Sequence, residues 1–434
     1  MNGSFRIRKD LNADALFSAA RKEFEEVPDE RIHPETSLAD ALMSGLALFA
    51  LKDPSLLAFQ NDRSADENIK NIFRIEKIPS DTNMRKILDE VDPNDIMPIF
   101  KKTFSILQRG KGLEDMVFYD GHYLISNDGT EYFNSEKVQC EECLIRKHQN
   151  GRTEHHHNFL GSAMVHPDQK AVIPLCPEPI KNADGSKKND CEQNGSKRWF
   201  IRFRREHPHM KAIIIEDALS SNAPHIEELQ KHDLRYLIGV KPGSHPYLFS
   251  LLGDNPSVTQ FETTDEKGVR HTFRFRNDVE LNESSTNVRT NVMEYREEKP
   301  NGKKQIFTWV TDIPLTEENA RIIMKGGRAR WKIENETFNT LKNQGYHFEH
   351  NFGHGKKNLS TVFALLMMLA FLIDQIQQKC CRVFQTAWEA CGSKRSMWEK
   401  IRSHINTSAV YGIAFARMTD ILTAIARGKM PISP

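Results

Sequence analysis

The sequence has almost no net charge: 60 basic side chains against 59 acidic ones leave a formal +1. A chain that is basic or acidic as a whole is therefore excluded. Any electropositive face must come from local clustering. Long hydrophobic runs are also missing. The most apolar stretch, Thr361 to Ile373, spans 13 residues, short of the ~20 that a membrane-crossing helix needs. It reads as a buried core helix, and no membrane partner is expected. Cysteine is scarce and odd in number, at 7, which argues against a disulfide framework and for a reducing cytoplasm. The opening MNGSFRIRKDLNADALF has no apolar stretch of the kind a secretory leader carries. There is no internal repeat and no long low-complexity segment. What is there is ordinary globular composition, 38% hydrophobic and 27% charged, in a chain long enough for roughly two or three domains.

Residues 1–112 read as helical. Ser37, Ser64 and Ser80 each precede a helix-like run and fit N-caps, and Pro93 opens a further helix. Two short helices joined by EKIPS have the form of a helix-turn-helix. Arg85 and Lys86 would then lie on the second helix, where a recognition helix meets the major groove. The alternative is a helical bundle whose basic residues are only solvated. From about residue 120 strand patterns appear: HYLISND, NFLGSAMVHP, KAVIPLC, KAIIIED and RYLIGVK. Helices over Asn189 to Glu206 and Pro224 to His232 interleave with the last two. Residues 242–315 alternate apolar and polar positions between turns rich in Gly, Asn, Asp and Pro, the pattern of an antiparallel β insertion. From Thr316 onward the chain is helical again.

Two aspartates stand where buried strands end. Asp128 follows YLISN, and Asp217 follows AIIIE. Carboxylates fixed by a rigid sheet suit Mg²⁺, a hard cation that takes oxygen ligands. Two such ions roughly 3.5–4 Å apart can activate a water and stabilise a leaving oxygen in phosphoryl transfer. An aspartate before a glycine is also an ordinary turn residue. Asp120, in YDG, competes with Asp128, and Glu216 competes with Asp217. Neighbours on a strand point to opposite faces, so only one of Glu216 and Asp217 can face a common site.

A third carboxylate lies in RARWKIENETFNTLK. On a regular α-helical wheel Glu334 shares a face with Trp331, Phe338 and Leu341, flanked by Arg330 and Lys342. Glu336 falls on the opposite, solvent side. A carboxylate on an apolar face is costly unless paired or metal-bound. The plain alternative is an Arg330–Glu334 ion pair one helical turn apart.

The blocks SNDGTEYFNS, KNDCEQN, IIIEDALSSNAPHI, IGVKPGSH and RARWKIENETFNTLKNQGYHFEHNFGHG resemble those of bacterial insertion-sequence transposases of the DDE class. The resemblance covers nearly the whole chain. It implies an α/β fold: a ribonuclease-H-like mixed sheet flanked by helices, with an N-terminal helical domain and an antiparallel β insertion. The divisions would be a probable DNA-binding domain at 1–112, the first part of the catalytic core at 113–241, the insertion at 242–315 and the helical completion at 316–434. Asp128, Asp217 and Glu334 would hold two Mg²⁺ ions, for which Mn²⁺ can substitute, and DNA would be cleaved at element ends and joined to target DNA. The partners implied are double-stranded DNA and a second copy of the chain, in the cytoplasm of a bacterium. The related signature carries tyrosine, arginine, glutamate and lysine along one helix. Arg330 matches the arginine. Lys342 stands one residue beyond the usual lysine spacing, and Gly327 stands at the tyrosine position. Arg330, Arg328 and Lys342 would bind phosphate, and Trp309 would stack on an extruded base or else fill the core.

The segment KRWFIRFRR, with Lys197 and Arg198, is a second basic cluster interleaved with aromatics. It reads either as a phosphate-binding patch or as a solvated helix face. Cys140-x-x-Cys143, followed by His155, His156 and His157, allows a structural zinc site, with Cys191 as a further ligand only by folding. His350 and His354 read as local hydrogen-bonding groups in preference to contacts with DNA phosphate. Two rival functions share the fold: a catalytically inactive, transposase-derived DNA-binding protein, and a nuclease without strand transfer.

Overall fold

Among the described residues seven helices come first: α1 (Ala13–Glu25), α2 (Leu38–Ala50), α3 (Leu56–Arg63), α4 (Glu67–Phe73), α5 (Asp81–Asp89), α6 (Pro93–Ile96) and α7 (Pro98–Arg109). The computed structural model describes residues 10–63, 67–182, 190–253, 256–283, 286–411 and 414–428. Ser37 and Ser80 cap α2 and α5 through their side-chain oxygens, as their positions suggest. Ser64 and Asn189 lie outside the described residues.

The strands follow: β1 (Val117–Tyr119), β2 (His122–Ser135), β3 (Leu144–Lys147), β4 (Thr153–Val165), β5 (Ile173–Pro174) and β6 (Glu178–Ile180). Then come α8 (Glu192–Glu206), β7 (Ala212–Glu216), α9 (Ala223–Lys231), β8 (Arg235–Gly239) and α10 (Pro246–Ser250). An antiparallel run, β9 (Thr259–Thr264), β10 (Arg270–Glu280), β11 (Arg289–Glu298) and β12 (Lys304–Thr311), completes the sheet. The last helices are α11 (Glu317–Arg328), α12 (Asn339–Asn343), α13 (Leu359–Cys380), α14 (Arg382–Cys391), α15 (Lys394–Tyr411) and α16 (Met418–Arg427).

Among the described residues the protein is a mixed α/β structure built on one 12-stranded sheet flanked by helices. The strand order is β3-β4-β2-β7-β8-β12-β11-β10-β9, with β1 beside β2, and β5 and β6 beside β4. Among the described residues the only parallel pairings are β2 with β7 and β7 with β8. β7 is buried along its whole length, as its continuous apolar run requires. β12 pairs antiparallel with β8. The inserted strands therefore lengthen the same sheet instead of forming a separate layer.

Two expectations need correction. Asp128 does not end a strand. β2 runs on for 14 residues, because β4 keeps pairing with it after β7 has stopped. KAVIPLC yields only the two-residue β5, while β1, β3 and β6 are short strands whose patterns are too brief to read.

Helix α13 is longer than its apolar run, at 22 residues. By length and composition alone it would cross a membrane, yet 94% of its most apolar window is buried inside the protein. It packs against α2, all 13 residues of which are themselves buried. The N-terminal helices thus share one apolar core with the C-terminal ones.

Candidate active site

Strand register sets the centre of the site. Ser126 of β2 pairs with Ile215 of β7. Two residues further on stand Asp128, still within β2, and Asp217, just past the end of β7, close enough that the charge of Asp217 acts on the Asp128 carboxyl. Ser126 Oγ donates to the Arg330 carbonyl at 3.2 Å, which brings the segment bearing Glu334 over the sheet. Phe338 seals the contact. A β-carbon at Gly161, the partner of Asp128 across β2 and β4, would lie 2.7 Å from its ring.

Asn127 and Glu216 alternate to the other face, where they are spoken for. Asn127 Nδ2 donates to Glu216 Oε1 at 3.2 Å, Ser162 Oγ donates to Asn127 Oδ1 at 2.7 Å, and Glu216 Oε2 meets His225 Nε2 of α9 at 2.5 Å. Burial works against a charged His225, but the Glu216 carboxylate outweighs it and holds the imidazole above its ordinary value. Both Glu216 carboxylate oxygens thus have partners in the protein. Asp120 sits at φ 47 in the tight β1–β2 turn beside Gly121.

Arg330 bridges two of the three carboxylates. Its Nη1 donates to Glu334 Oε1 at 3.0 Å and to Asp128 Oδ2 at 3.4 Å. The ion pair expected as the plain alternative is therefore present and reaches a second carboxylate. Burial pushes the Asp128 carboxyl up to about 7; the pull of Arg330 opposes this, and the charges of Glu334, Glu192 and Asp217 reinforce it. Glu192 had no place in the sequence reading. It opens α8, with its carboxylate against Gly129, where any side chain would collide with it. It lies within KNDCEQN, but a single acid at a helix start has no spacing to mark it. A cleft of about 510 Å³ lies on the side of the sheet that carries α8, lined by Glu192, Asn127 and Glu216 together with Asp128 and Asp217; Glu334 and Arg330 do not line it.

The segment around Glu334 is not the straight α-helix of the wheel. α11 ends at Arg328, a turn follows at residues 329–330, and Ile333–Phe338 form a π-helical turn. The buried stripe is Ile333, Thr337, Phe338 and Leu341. Trp331, assigned to the packed face, is 49% exposed and lies under the Arg330 guanidinium at 4.6 Å. Glu336 is half-buried on another side, in a cavity it shares with Lys170 and Lys394.

The remaining candidate residues are dispersed. Lys342 pairs with Glu349 at 2.8 Å, and Arg328 with Glu297 at 2.7 Å. Trp309 is buried, stacked on Phe307 and pressed against Gly327. Only 6% exposed, it sits in the core, the second of the two roles its position allowed. It also explains the glycine at the tyrosine position, since the indole fills the space a side chain would need. In the α8 cluster Arg198 is held by Glu178 and Asp190, each at 2.7 Å, while Lys197 stays exposed. On α5, Arg85 pairs with Asp81 at 2.5 Å, and Lys86 is exposed.

The chain matches no model of a known protein family, and no curated protein is significantly similar to it.

Proposed function

We propose that the protein is a DDE transposase, cutting DNA at the ends of an insertion element and joining them to target DNA. The observation that carries this reading is that Arg330 bridges Asp128 and Glu334, more than 200 residues apart in sequence, with Asp217 close enough for its charge to raise the Asp128 carboxyl. The strand arrangement, antiparallel β4 and β2 followed by parallel β7 and β8, supports a ribonuclease-H-like core. The antiparallel β9–β12 run, between the second aspartate and the glutamate, supports the insertion that the resemblance implies.

The donor type fits hard divalent cations: carboxylate oxygens, that of Asp128 pushed up first by burial and then by the charges of Glu334, Glu192 and Asp217. Asp128, Asp217 and Glu334 would hold two Mg²⁺ ions, or Mn²⁺, which when bound supply an activated water and stabilise the leaving oxygen. Arg330 neutralises Asp128 and Glu334 and presents a planar donor face for a phosphate. Exposed Trp331 beside it offers the stacking surface that Trp309 does not. The π turn bears on the displaced lysine. A π turn absorbs one extra residue in a helix, so Lys342, one position late by count, regains the phase it would have in an uninterrupted helix. The protein would act in the bacterial cytoplasm on double-stranded DNA, as a homodimer bridging two ends.

The test is nicking of a supercoiled plasmid carrying the DNA that flanks this reading frame. Wild type with Mg²⁺ is expected to cut, and Asp217→Ala to bind the same DNA without cutting. Wild type that binds but never cuts would leave the inactive DNA-binding protein as the reading. Cutting without transfer of a pre-cleaved 3′-hydroxyl end would leave a nuclease.

A further inference from the structure

We infer that the protein holds a structural zinc ion at Cys140, Cys143, His157 and His354, apart from the acidic cleft. The ligands come from three places: a turn between β2 and β3, the middle of β4, and the loop before α13. Folding alone brings His354 to a Cys-x-x-Cys turn more than 200 positions away in sequence. It takes the place that Cys191 was offered for. Cys191 instead lines the acidic cleft.

Five of the six ligand–ligand distances approach tetrahedral spacing. A tetrahedral zinc with Zn–S of about 2.3 Å and Zn–N of about 2.05 Å has edges of about 3.8 Å between sulfurs, 3.6 Å between sulfur and nitrogen and 3.3 Å between nitrogens. Here Cys140 Sγ and Cys143 Sγ are 3.8 Å apart. His157 Nε2 is 3.4 Å from each sulfur, and His354 Nε2 is 3.4 Å from Cys143 Sγ. The two Nε2 atoms lie 3.1 Å from each other. All four ligand atoms fall within 4.8 Å of one another. Nothing in side-chain packing alone demands two sulfurs and two ring nitrogens converging on one point.

The surroundings orient the ligands. His354 Nδ1 lies 3.1 Å from the Gly355 carbonyl. Donation there fixes the tautomer that leaves the Nε2 lone pair aimed at the cluster. The Cys140 N–H donates to Cys143 Sγ at 3.4 Å, and the Cys143 N–H to the Cys140 carbonyl at 3.3 Å. That turn presents both sulfurs to one side. Phe133 packs on His354 with ring centres 4.4 Å apart, and Tyr132 stacks on His157. Cys143, His157 and His354 are buried. Four protein ligands leave no open position, so the ion is structural, not catalytic. Sulfur and imidazole select zinc over the Mg²⁺ suited to the acidic cleft. Binding would release the two thiol protons to solvent and pin the loop that follows the Glu334 helix to β4.

The test uses full-length protein purified in reducing buffer without chelator. One zinc per chain is expected by elemental analysis. Exchange with Co²⁺ should give the intense visible bands and thiolate charge-transfer absorption of a tetrahedral site. Cys143→Ser and His354→Ala should lose the zinc, while Cys191→Ser and His350→Ala keep it. The proposal is overturned if wild-type protein incubated with Zn²⁺ and desalted retains well under one ion per chain. It is also overturned if Co²⁺ gives only the pale spectrum of an octahedral ion, or if Cys140 and Cys143 are found joined as a disulfide in that buffer. None of these readouts depends on DNA cleavage.

Discussion

A carboxylate facing three others in a partly buried cleft ionises reluctantly, and this sets the behaviour of Asp128. Its carboxyl is pushed up to about 7 from an ordinary 3.8, by burial first. For an acid raised in this way the native state binds the extra proton, so stability falls as the pH rises from about 4 to about 7. Asp128→Asn is therefore expected to melt higher than wild type at pH 8 in chelator, by at least ~2 °C, with the difference gone near pH 4. Millimolar Mg²⁺ should raise the wild-type melting temperature at pH 8 and leave the variant unmoved. Equal melting of the two proteins at pH 8 would sink the idea. At this scale the sequence was partly legible. That Glu216 and not Asp217 meets His225 is seen only in the folded chain. The wheel chose Glu334 while misplacing Trp331, because a wheel has no way to register a turn at 329–330 or a π turn after it.

Elements are positioned by contacts that no local pattern announces. Helix α13 has no side-chain cap of its own. Asp89, at the end of α5, accepts the backbone N–H groups of Lys356, Lys357, Asn358 and Leu359 instead. Burial works to raise the Asp89 carboxyl, but these donors outweigh it and hold it below its ordinary value. The stabilisation is therefore complete above the unfolded value of 3.8 and is lost as the pH falls through the lower folded one. Asp89→Ala is expected to cost about 1–2 kcal/mol at pH 7, read by urea denaturation, with the gap narrowing in acid. A pH-independent gap would mean that packing, not the capping charge, is what the substitution removes. Strands were legible where apolar residues ran or alternated for five or more positions, as in β7, β8 and β10 to β12. They were not where a strand such as β4 begins in a polar run, TEHHH, and owes its extension to its neighbours.

The whole molecule is tied across its length by a buried cation. Lys52, just past α2, reaches Asp374 of α13 at 2.5 Å, and its Nζ lies 4.1 Å from the centres of both the Tyr346 and Trp398 rings. Tyr346 donates to the same aspartate. Lys52→Met strands Asp374 and is expected to cost about 3–5 kcal/mol. Replacing Asp374 with Leu in the same chain should recover much of that, and a cost unchanged in the double variant would show that the pair is not the source. Because α2 is buried all round partly against α13, a fragment of residues 1–112 is not expected to fold alone. No composition or periodicity would have revealed that dependence. The central claim remains the chemistry of the acidic cleft, and Glu334 and Glu336 put it to the hardest test, two residues apart with the same side chain. Nicking of a plasmid carrying the DNA beside this reading frame should require Mg²⁺ or Mn²⁺, vanish in Glu334→Gln and survive in Glu336→Gln. Cleavage that persists in Glu334→Gln, or that is lost only in Glu336→Gln, would contradict it.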